Sequence, residues 1–118
     1  MAVVSKTMSL STRGNAQVMD VTADVQDRLG RSGLRDGIVC VSVIGSTGAL
    51  TPCEYEPGLV ADIKAIFDRL IPAGDYQHDQ TWHDGNGHSH LRASLVGPSV
   101  CLPFNDGRLT LGTWQQII

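Results

Sequence analysis

The apolar and polar positions of this chain repeat with two periods, and the change from one to the other marks out its elements. Residues 2–12 alternate loosely and carry β-branched Val3, Val4, Thr7 and Thr12, which predicts a first strand. Gly14-Asn15 is a turn signal, and Asp20 or Thr22 can cap a helix that starts there. Val21, Val25 and Leu29 then recur at helical spacing, with Asp24, Gln26, Asp27 and Arg28 on the other side; Gly30 and Gly33 end the helix. The run Ile38-Val39-Cys40-Val41-Ser42-Val43-Ile44 is short, β-branched and almost continuously apolar. It predicts a strand covered on both faces, with Cys40 as a small buried hydrophobe.

The strongest helical pattern lies further on. Leu59, Ile63, Ile66 and Leu70 form one stripe, widened by Val60 and Phe67, while Asp62, Lys64, Asp68 and Arg69 face water. Pro57 suits the first turn, Glu54 and Glu56 lie near its positive end, and Pro72 and Gly74 stop it. The segment from His78 to Gly87 reads as a loop. Gly87 to Leu95 has helical character and is closed by Gly97-Pro98. Val100, Leu102 and Phe104 alternate with Ser99, Cys101 and Pro103 as a half-buried strand, and Asn105-Asp106-Gly107 predicts a hairpin returning through Arg108 to Ile118. The expected fold is α+β: a compact sandwich of largely antiparallel β-sheet with two to three helices, in one domain spanning 1–118. The apolar end Trp114-Gln115-Gln116-Ile117-Ile118 is an edge that calls for a partner, either a continuing chain or another subunit.

Composition narrows the function classes. A net charge of −3 and a pI near 5.7 argue against nucleic acid as a partner, because phosphate neutralisation needs a basic field. No apolar run approaches the ~20 residues of a membrane helix, and the N-terminus lacks the basic-then-apolar order of a signal peptide, so no membrane partner is expected. Cys40, Cys53 and Cys101 are odd in number and contain no C-x-x-C pair. Neither a zinc knuckle nor a disulfide framework is indicated, and a reducing cytoplasm is the expected location. Gly45-Ser46-Thr47-Gly48 lacks the lysine and spacing of a P-loop and reads as a bend between strands.

The chemistry concentrates in one stretch. All four histidines, His78, His83, His88 and His90, lie between positions 78 and 90, beside Asp79 and Asp84. Histidine changes charge near neutral pH and is a common metal ligand. His88 and His90 would diverge by about 200° on a helix, so they converge only if His88 sits in the approach and His90 in the first turn. His90 and Ser94 share a face, as do His88 and Arg92. Three readings stand. One is a metal site built from some of His78, His83, His88 and His90, with Asp79, Asp84 or Glu54 as oxygen ligands; His78, His88, His90 and Asp84 are the foremost candidates. The second is a phosphate-and-proton site. In it the N–H groups of Gly85, Asn86, Gly87 and His88 hold an anion at a helix start, Arg92 or Arg108 adds charge, and a histidine moves protons. In the third the histidines and Asn86 only cap the helix. His83, between Trp82 and Asp84, matches no motif, and Ser94 lacks the neighbours of a hydrolase nucleophile.

Asp84-Gly85-Asn86-Gly87-His88-Ser89-His90-Leu91-Arg92-Ala93-Ser94, with Asp106-Gly107-Arg108-Leu109 and Leu111-Gly112-Thr113-Trp114-Gln115, closely resembles the YjbQ family, and the likeness runs back to the N-terminus. The resemblance implies a compact α+β sandwich, a homotrimer with a polar pocket at its subunit boundaries, and a secondary thiamine-phosphate synthase activity. That reaction joins a pyrimidine pyrophosphate to a thiazole phosphate and releases pyrophosphate. It also implies site roles for Glu54, His78, His90, Ser94, Arg108, Thr113 and Trp114. Gly45 stands where many members have a histidine, and His88 is the candidate to replace that imidazole. Members usually run a strand or two beyond Gln115-Gln116, so the chain is expected to stop short of them. On this reading the partner is a phosphorylated small molecule and the cofactor is Mg²⁺ held by Glu54 or Asp84; zinc or a similar divalent ion stays open. The alternatives are a non-catalytic trimeric binder of a phosphorylated metabolite or metal ion, and a metal-dependent hydrolase.

Overall fold

A computed structural model describes residues 1–118. Four helices and five strands follow in the order α1 (Thr22–Gly30), β1 (Gly37–Ser42), β2 (Pro52–Glu54), α2 (Pro57–Leu70), α3 (Gln77–Trp82), α4 (Gly87–Val96), β3 (Ser99–Asn105), β4 (Arg108–Leu109) and β5 (Gln115–Ile117). The fold is α+β and every strand pairing is antiparallel. One sheet runs β1-β3-β4, and a second pairs β2 with β5.

The core sits where α1 crosses the first sheet. Val21, Val25, Leu50, Leu102 and Ile117 form its centre, with Val39, Val41, Val43, Val100, Leu109, Leu111 and Met8 packed around it. Register explains the selection: Val39 pairs with Leu102 and Val41 with Val100, so the inward residues of β1 meet those of β3 under the helix. Two polar ties fix α1 in place. Ile117 N donates to Thr22 Oγ1 at 2.8 Å while Val21 N donates to Ile117 O at 2.9 Å, which welds β5 to the start of the helix. Gln26 donates to Gly107 O and accepts from Leu109 N, doing the same for the hairpin. At the helix start Asp20 Oδ1 accepts from Thr22 N at 3.0 Å.

Several expectations are corrected. Residues 2–12 form no strand: they pair with no other segment, and nearly all are exposed. β-Branching favours a strand only where a neighbouring edge supplies hydrogen bonds, and here the segment touches the body chiefly through Met8 and the bond from Arg28 Nε to Thr7 O. β1 is covered on one face only. Ile38 is 75% exposed and Cys40 is also exposed, because α1 covers the inner face and no element lies over the outer one. The predicted return strand splits after Leu109, since β5 leaves the hairpin to pair with β2, Glu54 lying opposite Gln115. The hairpin itself is as expected, with Asp106 and Gly107 both at positive φ, as a two-residue turn of this kind requires. The segment expected as a His-rich loop contains α3.

The remaining helices form an arm with little cover. No residue of α2 is buried, and Ile66 and Leu70 of its stripe are 46% and 63% exposed. The chain exposes 8143 Å², against roughly 6200 Å² for a compact monomer of its mass. Its radius of gyration is 16.1 Å, where about 13.5 Å is usual for this length.

Candidate functional site

The histidines are placed by two short helices that meet at a tight corner. Asp79 makes the corner. Its Oδ2 accepts from Tyr76 N at 3.3 Å, closing the start of α3, and its Oδ1 accepts from Gly87 N at 3.0 Å, the first residue of α4. A β-carbon on Gly87 would stand 2.7 Å from Tyr76 Cβ, so glycine permits the approach. α3 ends at His83, which takes a left-handed conformation with φ 58° and donates from its N–H to Asp79 O. Sequence reasoning assigned Asp79 to a ligand role and gave Tyr76 none. The spacing of an acid three residues into a helix was the available signal.

At this corner the rings of His78 and His90 lie 4.4 Å apart, centroid to centroid, tilted by 58°. His78 Nε2 is 4.0 Å from Asp84 Oδ1, too long for a hydrogen bond. Three buried polar atoms here have no partner: His78 Nε2, Asn86 Oδ1 and His88 Nδ1. Buried polar atoms are nearly always satisfied in folded chains, and each exception needs a reason. Ser89 N and His90 N both turn to Asn86 O, and Gly87 N is taken by Asp79. The expected backbone cradle of Gly85, Asn86, Gly87 and His88 is therefore partly occupied, and by a carboxylate. The side chains of His78, Asn86 and His88 are the open positions.

The other candidates lie elsewhere. Arg92 is buried; its Nε donates to Ile71 O at 2.9 Å, its Nη2 reaches Asp68 Oδ1 at 3.2 Å, and its guanidinium sits 5.9 Å from the Phe67 ring centroid. It braces α4 against the end of α2. Lys64 in the first place, with Arg92 adding to it, holds the Asp68 carboxyl below its ordinary range. Ser94 is exposed and donates to Leu91 O at 2.8 Å. Glu54 ends β2 opposite Gln115, next to exposed Thr113 and Trp114. Arg108 opens β4 and lines a cleft with Gln26, Gly30, Asp106 and Gly107 beside α1. None of Glu54, Arg108, Thr113 and Trp114 hydrogen-bonds or ion-pairs with a histidine. No group of three His, Cys, Asp or Glu side chains comes together within one chain in a form that could hold a metal ion.

A family model described as UPF0047 protein YjbQ-like matches residues 6–118. The chain belongs to the YjbQ family. A YjbQ relative from Archaeoglobus fulgidus, a UPF0047 protein, is 40% identical over 112 residues, covering 94% of this chain and 85% of the relative. The YugU protein of Bacillus subtilis is 31% identical, covering 95% and 84%. Among solved YjbQ-type structures, one from Clostridium acetobutylicum superposes with a TM-score of 0.83 at 36% identity, covering 92% of this chain and 82% of that one. A second, of unknown function from Sulfolobus solfataricus, gives 0.84 at 31% identity, covering 92% and 78%. These proteins carry no assigned activity in their names, so YjbQ membership fixes the fold and leaves the reaction to the site.

Proposed function

We propose that the corner between α3 and α4 binds the phosphate of a phosphorylated small molecule and moves protons for a group transfer. The observation that carries this is the set of unpartnered buried atoms, His78 Nε2, Asn86 Oδ1 and His88 Nδ1, beside the His78–His90 ring contact. An imidazole nitrogen without an internal partner can donate to a phosphate oxygen when protonated and accept a proton when neutral, and both states are reachable near neutral pH. Asn86 Oδ1, an acceptor, suits a hydroxyl or amino group of the same molecule.

The transfer that fits the family resemblance is that of a thiamine-phosphate synthase. The thiazole nitrogen bonds the pyrimidine's methylene carbon, the carbon–oxygen bond to pyrophosphate breaks, and the electron pair leaves on pyrophosphate. His78 and His90 neutralise and protonate the departing group. Mg²⁺, if bound, would be held by the Asp84 or Glu54 carboxylate together with the substrate itself, since the chain brings no three ligands together, and it would neutralise charge on the pyrophosphate. Glu54, Thr113 and Trp114 lie at or beside the β2–β5 pair, and Arg108 opens β4 in the other sheet. A homotrimer would let the β2–β5 edge of one protomer, with Glu54, Thr113 and Trp114, face the histidine corner of the next. The uncovered stripe of α2 and the 8143 Å² of exposed surface support such an assembly.

The test is formation of thiamine phosphate by purified protein from the pyrimidine pyrophosphate and the thiazole phosphate, with His78→Ala and His90→Ala compared at matched oligomeric state. Each variant is expected to lose about 10²–10⁴-fold in rate. Equal rates in all three proteins would remove both histidines from the chemistry, and absence of turnover in the wild type would overturn the transferase reading.

A further inference from the structure

The outer face of the three-stranded sheet carries a pair of thiols that the histidine corner does not use. Cys40 of β1 stands directly opposite Cys101 of β3, and both are exposed. The ladder fixes which kind of pair this is. Val43 N donates to Pro98 O at 2.8 Å, one step beyond the Ser42–Ser99 pair, so Val43–Pro98 is a hydrogen-bonded position. Positions alternate along an antiparallel ladder. Val41–Val100 and Val39–Leu102 are therefore hydrogen-bonded pairs, and Cys40–Cys101 falls at a non-hydrogen-bonded one. Pro103, opposite Ile38 at the next such position, agrees with this, since it has no N–H to offer β1. At non-hydrogen-bonded positions the Cα atoms approach to about 4.5 Å and the side chains lie closest. A disulfide spans Cα separations of roughly 4.4–6.8 Å. Cys53 is apart from both, half-buried in β2 opposite Gln116.

We propose that Cys40 and Cys101 are a redox-modification site, closing to a reversible cross-strand disulfide by exchange with a low-molecular-weight disulfide. The proposal is independent of the phosphate site. Proton sharing with Cys101, then partial desolvation, then the charge on Cys101 push the Cys40 thiol above its ordinary value. Either thiol of the pair can open the exchange. When Cys101 attacks first, its thiolate bonds one sulfur of the small disulfide and expels the other as a thiolate, which takes up the proton Cys101 lost. Cys40, deprotonated in turn, attacks the Cys101 sulfur of the mixed disulfide and expels the second small thiolate. Two protein S–H bonds are oxidised to one S–S bond, and one small disulfide is reduced to two thiols. Excess small thiol runs the same two exchanges backwards and reopens the bond, which stays accessible on the exposed face of the sheet. Its closure joins β1 to β3 and encloses β2 together with the α2–α4 arm in one covalent loop.

The experiment equilibrates reduced protein with oxidised glutathione, quenches with acid, and measures intact mass, alkylatable thiols and mobility on a non-reducing gel. The expected product is a single chain lighter by about 2 Da, without a glutathione adduct. It has one alkylatable thiol left, mapped to Cys53, and its melting temperature is higher by roughly 5–10 °C. Dithiothreitol reverses all of these changes. In Cys53→Ser the same mass loss is expected with no thiol left, and Cys40→Ser is expected to trap a stable adduct on Cys101. Three alkylatable thiols after treatment, lasting adducts in the wild type, or a covalent dimer would each overturn the proposal.

Discussion

The two halves of this chain put their apolar residues to opposite use. In the body, short patterns are fully spent: Val21, Val25 and Leu29 of the first helix, Leu102 and Phe104 of β3, and Ile117 of a three-residue strand are all buried. In the arm, α2 has the longest stripe in the chain and buries none of it. Periodicity reports that an element has an apolar side. It does not report that the same chain covers that side. The difference also separates the candidate site from the core, because the histidine corner is on the arm, which owes its shape to local polar clamps, Asp79 and Arg92, more than to a core.

The sharpest way to break this contrast is to truncate one isoleucine in each half. Ile117 is wholly buried, and Ile117→Ala is expected to cost about 3–5 kcal/mol in urea unfolding, through lost transfer energy and the cavity left behind. Ile66→Ala is expected to change the stability of an isolated protomer by under about 1 kcal/mol, because Ile66 is already 46% exposed. If copies of the chain assemble through the α2 stripe as proposed, its effect should appear in sedimentation, as weaker self-association. If Ile66→Ala unfolds the chain as strongly as Ile117→Ala without changing assembly, the arm is core after all and the comparison fails.

A smaller change tests whether the arm is held by its corner. The β-carbon introduced by Gly87→Ala would lie 2.7 Å from Tyr76 Cβ and 3.2 Å from Asp79 Oδ1, so α3 and α4 must separate. The expected cost is about 1–3 kcal/mol. Histidine proton resonances should record the loss of the His78–His90 contact while the body's spectrum stays unchanged. Shifts spread through Val25 and Leu102 would show instead that arm and body form one cooperative unit.

The same contrast explains what could be read from the sequence. Elements stabilised by their own neighbours were legible: α1, α2, the Asn105-Asp106-Gly107 hairpin and the helix following Gly87 all appear where pattern and turn chemistry put them. Features decided by distant partners were not. Whether Cys40 is buried depends on a helix covering one face of β1 and nothing covering the other. Whether residues 2–12 become a strand depends on an available edge, and β5 finds its partner in β2, more than sixty residues earlier. At the site, the cluster of histidines was plain in the sequence, but its division was not. The tie between Asp79 and Gly87 determines which amides of the α4 start remain free, and the tie from Arg92 to Asp68 and Ile71 O determines which cations do.

The smallest expected effect concerns the start of α2, where the arm begins. Glu56 accepts from Gly58 N at 2.7 Å and from Leu59 N at 2.8 Å. Those two bonds, the Gly58 one first, lower its carboxyl below the ordinary 4.5, against a small opposing contribution from desolvation. A carboxylate whose pKa is depressed in the folded state stabilises fully above the unfolded value, and that contribution fades as pH falls through the folded value. The cap should therefore hold above about pH 4.5 and weaken progressively below it. Glu56→Gln keeps an acceptor oxygen but removes the charge, so it should lower the melting temperature by a few degrees at neutral pH and flatten the acid side of the profile. If the arm is an independent, weakly covered unit, this acid-side loss should appear in helix content near α2 before the body unfolds; simultaneous loss of both would mean that α2 draws its stability from the core, against what its exposed stripe implies.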